Sequence, residues 1–112
     1  MRPPIQITDI LLNAQELHFN HPDTFYAPSQ DELATIKRGD NVKIGAVLDY
    51  EVCEASVEHF WVLVNDVTGT SITGAVNTAL MYTQSHNLKD GDHVQFDFCA
   101  VMGIIALNQN NG

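Results

Sequence analysis

The sequence predicts a mainly β domain, and three observations carry that prediction. Residues 60–76, Phe-Trp-Val-Leu-Val-Asn-Asp-Val-Thr-Gly-Thr-Ser-Ile-Thr-Gly-Ala-Val, hold two β-prone runs either side of Thr68-Gly69-Thr70, which is a hairpin signature. Residues 42–44 and 93–98 alternate apolar and polar side chains at the period of a half-buried strand. Both alternating segments are entered from one short pattern. Ile36-Lys37-Arg38-Gly39-Asp40-Asn41-Val42-Lys43-Ile44 and Leu88-Lys89-Asp90-Gly91-Asp92-His93-Val94-Gln95-Phe96 each read apolar-Lys-x-Gly-Asp-x-Val-x-apolar. Glycine suits a left-handed turn position and Asp accepts nearby amides, so the repeat marks two strands entered from similar tight turns rather than a binding motif.

Arg2-Pro3-Pro4 is an extended lead-in, and Ile5, Ile7, Ile10, Leu11 and Leu12 form an apolar segment compatible with strand or helix. Asn13 followed by Glu16 has the spacing of a capping box, so a short helix starts there, with Ala14, Leu17 and Phe19 sharing a face or lining its edge. Pro22 bars that helix beyond Asn20 or His21. Residues 21–28 are bracketed by prolines and run extended, anchored by Phe25 or Tyr26. Ser29 and Glu32 form a second capping box; Asp31 complements the helix dipole, Leu33 and Ile36 share a face, Lys37 and Arg38 occupy the last turn, and Gly39 ends it.

The strand at Val42 and Ile44 continues loosely through Val47, Leu48 and Tyr50. Residues 49–58, with Asp49, Glu51, Glu54 and Glu58, read as an acidic, solvated connection. The strand at 59–67 is apolar on both sides, Phe60, Val62 and Val64 on one and Trp61 and Leu63 on the other. Its return strand places Ile72, Gly74 and Val76 together, with Gly74 at a bulge or close crossing. Residues 77–84, containing Leu80, Met81 and Tyr82, are irregular or strand-like. Val94, Phe96 and Phe98 then share a strand face opposite His93, Gln95 and Asp97, and residues 99–107 read as a closing strand broken by Gly103.

These elements define one domain: an extended and helical segment at 1–38, a β-barrel core at 39–107 and a flexible tail at 108–112. The architecture they predict is an SH3-like, partly open barrel of five or six strands behind two short helices, with an OB-like barrel as the alternative.

The 112 residues suffice for one core. Fourteen Asp and Glu against five Lys and Arg give a formal charge of −9, a field that repels phosphate backbones and argues against direct nucleic-acid binding. Cys53 and Cys99 form no Cys-x-x-Cys pair and read as free, buried thiols in a reducing compartment. Neither a membrane-spanning run nor a leader pattern is present, so the expected location is cytoplasmic.

The set Asn13-Ala14, Pro22-Asp23-Thr24-Phe25, Pro28-Ser29, Lys37-x-Gly39-Asp40-x-Val42-Lys43, Phe60-Trp61-Val62, Ile72-Thr73-Gly74 and Leu88-x-x-Gly91-Asp92-x-Val94-x-Phe96 resembles a family of uncharacterised bacterial proteins, a domain of unknown function built on a small barrel. The resemblance covers residues 13 to about 105. It implies the barrel but no active site or cofactor, and relatives of accessory or immunity type point toward binding.

Candidate chemistry is sparse. His18, His21 and Asp23 have metal-ligand spacing, but Pro22 breaks the helix that would align the two imidazoles. Ser29, Ser56, Ser71 and Ser85 lack a nucleophile-elbow context, and the glycines form no phosphate loop. Trp61 is more informative: with Phe60 and Val62 turned inward, Trp61 and Leu63 form an outward apolar stripe that marks a contact surface or dimer interface unless an N-terminal segment covers it. The sequence therefore predicts a non-enzymatic protein-binding module, with a protein partner or homodimer, acting through Trp61, Leu63 and Tyr50 or the acidic Glu51, Glu54 and Glu58. The alternatives are an acidic inhibitor or immunity-type protein that blocks a basic nucleic-acid-binding or toxin surface, and a small metal-dependent hydrolase using His18, His21 and Asp23.

Overall fold

A computed structural model describes residues 3–48 and 56–106 of the chain. Six strands, β1 (Ile5–Gln6), β2 (Asn41–Val47), β3 (Val57–Thr68), β4 (Ser71–Val76), β5 (His93–Asp97) and β6 (Gly103–Ile105), form one mixed sheet in the order β1-β5-β4-β3-β2-β6. Three short helices accompany it: α1 (Ala14–Asn20), α2 (Gln30–Leu33) and α3 (Thr83–His86). The mainly β reading with two short helices ahead of the central strands therefore holds.

Strand alternation decides which face is buried. Val42, Ile44 and Ala46 of β2, Phe60, Val62 and Val64 of β3, Ile72 and Val76 of β4, and Val94 and Phe96 of β5 all lie inside, and Ile7, Leu11, Leu33, Ile36, Leu88 and Val101 close over them. Each such Val, Leu, Ile or Phe side chain stabilises the fold by about 1.5–3 kcal/mol on full burial. A one-residue slip of β2 against β3 would turn the whole inner set of a strand toward water, which fixes the register at Val42↔Val62 and Ile44↔Phe60.

The ambiguous N-terminal segment resolves into two pieces of pairing joined by a 3-10 turn at Thr8–Ile10. β1 runs parallel to β5, and Ile7 donates its amide to the Gln95 carbonyl at 3.0 Å. Leu11 then bridges Ala46, and the Leu12 amide donates to the Gly45 carbonyl at 2.9 Å. One stretch of chain thus bonds to strands near both ends of the sheet and holds its curvature.

β3 and β4 form the expected hairpin. The two-residue loop Gly69–Thr70 has Gly69 at φ 62°, and Thr68 pairs with Ser71. The bulge lies in β3 rather than at Gly74: the register shifts between Val64 and Asp66, leaving Asn65 extra. Gly74 is the close crossing, where a Cβ would collide with the Leu63 carbonyl oxygen and come within 2.7 Å of Val62 Cγ1.

Several expectations are corrected. α2 begins at its capping box, with Ser29 Oγ accepting from the Glu32 amide and Glu32 Oε1 from the Ser29 amide, but it stops at Leu33. Thr35 donates its hydroxyl to the Glu32 carbonyl at 2.6 Å and Asp40 accepts the Lys37 amide at 3.0 Å, so Lys37, Arg38 and Gly39 belong to a separate turn, not to the last turn of the helix. Phe19 does not pack with Ala14; it is 84 % exposed at the end of α1. Of the two readings of residues 77–84 the irregular one holds for 77–82, and α3 begins at Thr83. β5 ends at Asp97, whose side chain accepts the Cys99 amide and caps a 3-10 turn at Phe98–Ala100; the closing strand is only β6, which Gly103 begins rather than breaks. Cys99 is half-buried and unpaired, whereas Cys53 lies outside the described residues.

Candidate interaction surface

On the outer face of the sheet, alternation and register place four neighbouring rows. Val47 sits opposite Val57, Gly45 opposite His59, Lys43 opposite Trp61, and Asn41 opposite Leu63. β4 extends the last row with Ala75, and β6 extends it with Ile105 on the far side. Trp61 is half-buried here, Leu63 is 38 % exposed, and Val47 and Ile105 are exposed too. Ile7 and Leu11 of the N-terminal segment pack into the core on the inner face, while Trp61 and Leu63 stand on the outer one. The Asn77 side-chain amide spans β3 to donate to Asn41 Oδ1 at 3.2 Å, adding a polar clasp to the same surface.

The charges on this face are unequally spread. Lys43 has no carboxylate at ion-pair distance among the described residues. Burial first, and then the nearby Lys43 ammonium, push the His59 imidazole below its usual range, so it is neutral at pH 7 beside a standing positive charge. Two carboxylates occupy the hairpin end. Asp97 accepts from the Cys99 amide at 3.0 Å and the Thr70 hydroxyl at 2.9 Å, and these bonds hold it below the usual carboxylate range against the opposing effect of burial. Asp66 is exposed on the outer face opposite Thr73 and has no side-chain partner among the described residues.

The inner face carries a second polar constellation that sequence reasoning misses. Glu58, assigned by the sequence to the acidic connection, instead lies in β3 and points inward with only 8 % exposure. Its carboxylate accepts from the Met81 amide at 2.7 Å, the Tyr82 amide at 3.1 Å and His86 Nε2 at 2.8 Å. The Leu88 amide donates to His86 Nδ1 at 3.0 Å, which fixes the imidazole as the Nε2–H tautomer. Burial raises the Glu58 pKa, but the Met81 amide, the His86 ring and the Tyr82 amide together outweigh it and hold the group below the usual carboxylate range. This is a structural latch: it ties α3 and the chain before β5 onto β3. Glu58 is consequently not part of a solvent-facing acidic patch.

The remaining sequence candidates separate. Tyr50, Glu51 and Glu54 lie outside the described residues. His18 Nδ1 donates to the Phe25 carbonyl at 2.6 Å, and among the described residues His18, His21 and Asp23 do not come together as a metal-binding group. Lys43, His59 and Asp66 were the members of the outer face that the sequence did not single out. Lys43 and His59 follow from alternation alone, but Asp66 reaches that face only through the bulge.

No family model matches the chain, and neither a curated protein nor a solved structure does.

Proposed function

We propose that this protein is a non-enzymatic protein-binding module, built on an SH3-like, partly open barrel, whose contact surface is the outer face of the sheet. The carrying observation is the apolar set on the outer face, Trp61, Leu63 and Ile105 together with Val47 and Val57 beyond the Gly45–His59 row, where a half-buried tryptophan and a partly exposed leucine stand on paired strands beside Lys43 and His59. Buried polar groups elsewhere are consumed by the fold: Glu58 and His86 bond to each other and to backbone amides. Trp61 and Leu63 are different, because the fold leaves part of their apolar surface in water, and covering it is favourable by about 25 cal/mol per Å². Aromatic anchors surrounded by a polar rim are the usual centres of such interfaces.

The test is affinity capture by the immobilised chain, comparing wild type with Leu63→Glu and with Phe19→Glu as a control on a different element. The reading predicts a protein retained by wild type and by Phe19→Glu but lost with Leu63→Glu. Retention by all three alike would refute the outer face as the contact surface.

A further inference from the structure

The outer face is not merely apolar: Lys43 and Asp66 carry opposite charges on either side of one row of it. Take the row that holds Leu63 and Ala75 as the centre. Lys43 and Trp61 lie two strand positions to one side of it. Asp66 pairs with Thr73, two positions from Ala75, and so lies two positions to the other side. At about 3.3 Å per residue each displacement is roughly 7 Å. The bulge at Asn65 makes this possible. Glu58, Phe60, Val62 and Val64 all point inward, and without the extra residue Asp66 would follow them into the core.

We propose that a second copy of this chain docks on this face, related by a two-fold axis that runs across the strands over Leu63 and Ala75, with Lys43 of each copy meeting Asp66 of the other. The proposal rests on the reading of the outer face as a contact surface and names its occupant. A two-fold axis in that position turns the second sheet over and reverses its strand direction, so β3 lies over β3 and the Trp61 row of one copy lies over the Asp66 row of the other. Lys43 stands on β2, one strand spacing of about 4.8 Å from β3, and its long side chain spans that offset between sheets packed about 10 Å apart. Leu63 and Ala75 meet their own counterparts at the centre, where a large and a small side chain sit side by side. Lys43 and Asp66, each without a counter-charge among the described residues, supply one another's. A basic partner would leave Lys43 opposed by like charge, whereas the second copy satisfies both ends of the face.

The size of the face sets the strength. About four strands by five residues is roughly 20 by 17 Å, so two copies bury about 700 Å² together, below the size of permanent interfaces. The dimer is therefore weak and reversible, as befits a chain whose net charge of −9 opposes self-association.

Sedimentation equilibrium of the full chain from about 10 µM to about 1 mM tests this. The expected result is a mass rising from monomer to dimer. Lys43→Asp and Asp66→Lys, both on the solvent side of the sheet, should each weaken association by about tenfold or more through like-charge contact. An equimolar mixture of the two variants should recover it, because each contact between unlike variants again opposes an acid to a base. Wild-type chain that stays monomeric throughout, or a mixture that associates no better than either variant alone, would overturn the proposal. If monomeric wild type nevertheless retains another protein in a way that Leu63→Glu abolishes, the second copy is excluded and the binding face stands.

Discussion

The two Lys-x-Gly-Asp segments are built alike and held differently. In the first, the Lys37 amide and ammonium both bond Asp40, at 3.0 and 3.2 Å; in the second, the Lys89 amide and ammonium bond Asp92, at 3.0 and 3.0 Å. Gly39 and Gly91 take φ values of 97° and 89°. Each turn then docks on a neighbouring strand by the same pair of bonds: Gly39 to the Val64 carbonyl with Val64 returning to Asp40, and Gly91 to the Val76 carbonyl with Val76 returning to Asp92. Ile36 and Leu88 are buried in matching positions. The entries differ. A capping box and one helical turn deliver the chain to the first, whereas the Glu58–His86 latch delivers it to the second. The same turn bonds are thus supported once by neighbours in sequence and once by a residue 28 positions from its partner.

Breaking the long-range support should have the largest effect. Glu58→Ala leaves the His86 ring and two amides without their acceptor and should cost about 3 kcal/mol in a denaturant titration. The linkage has a definite sign. The folded Glu58 carboxyl is held below its ordinary value of 4.5, so its contribution is fully present above that pH and is lost as pH falls through the folded value. Stability curves of wild type and Glu58→Gln should therefore converge on acidification. A constant gap between them would place the stabilisation elsewhere.

Next comes the asymmetry of the two aspartates. The Asp40 side chain is 2 % exposed and that of Asp92 14 %, so Asp40→Ala should cost about 2–3 kcal/mol and Asp92→Ala about 1 kcal/mol in the same titration. Equal losses would show that the turn geometry, not burial, sets the cost. The smallest change belongs to the lysines. Both ammonium groups reach into solvent, and Lys37→Met or Lys89→Met should shift stability by less than about 0.5 kcal/mol.

The same contrast explains what the sequence reveals and what it hides. Features set within a few residues are legible: the Asn13 and Ser29 caps, the stop before Pro22, the Gly69 hairpin and the two Gly-Asp turns all appear where their side chains predict. Features set by distant partners are not. Glu58 lies in a run of acidic residues, and only the Met81, Tyr82 and His86 donors reveal that it points inward. The outer stripe of Trp61 and Leu63 is legible from period two, while Asp66 is hidden because one extra residue in β3 reverses every later side chain. Charge placement on that face is therefore a property of the sheet register rather than of composition.

Trp61 is the sole tryptophan of the chain, so its fluorescence reports directly on the surface in question. Acrylamide quenching of wild type should weaken as the protein is concentrated from about 1 µM to about 1 mM, while Leu63→Glu stays as quenchable at the top of that range as at the bottom. Quenching of the wild type that is the same across the whole range would contradict the account, because the face that carries Trp61 would then remain open however much of the chain is present.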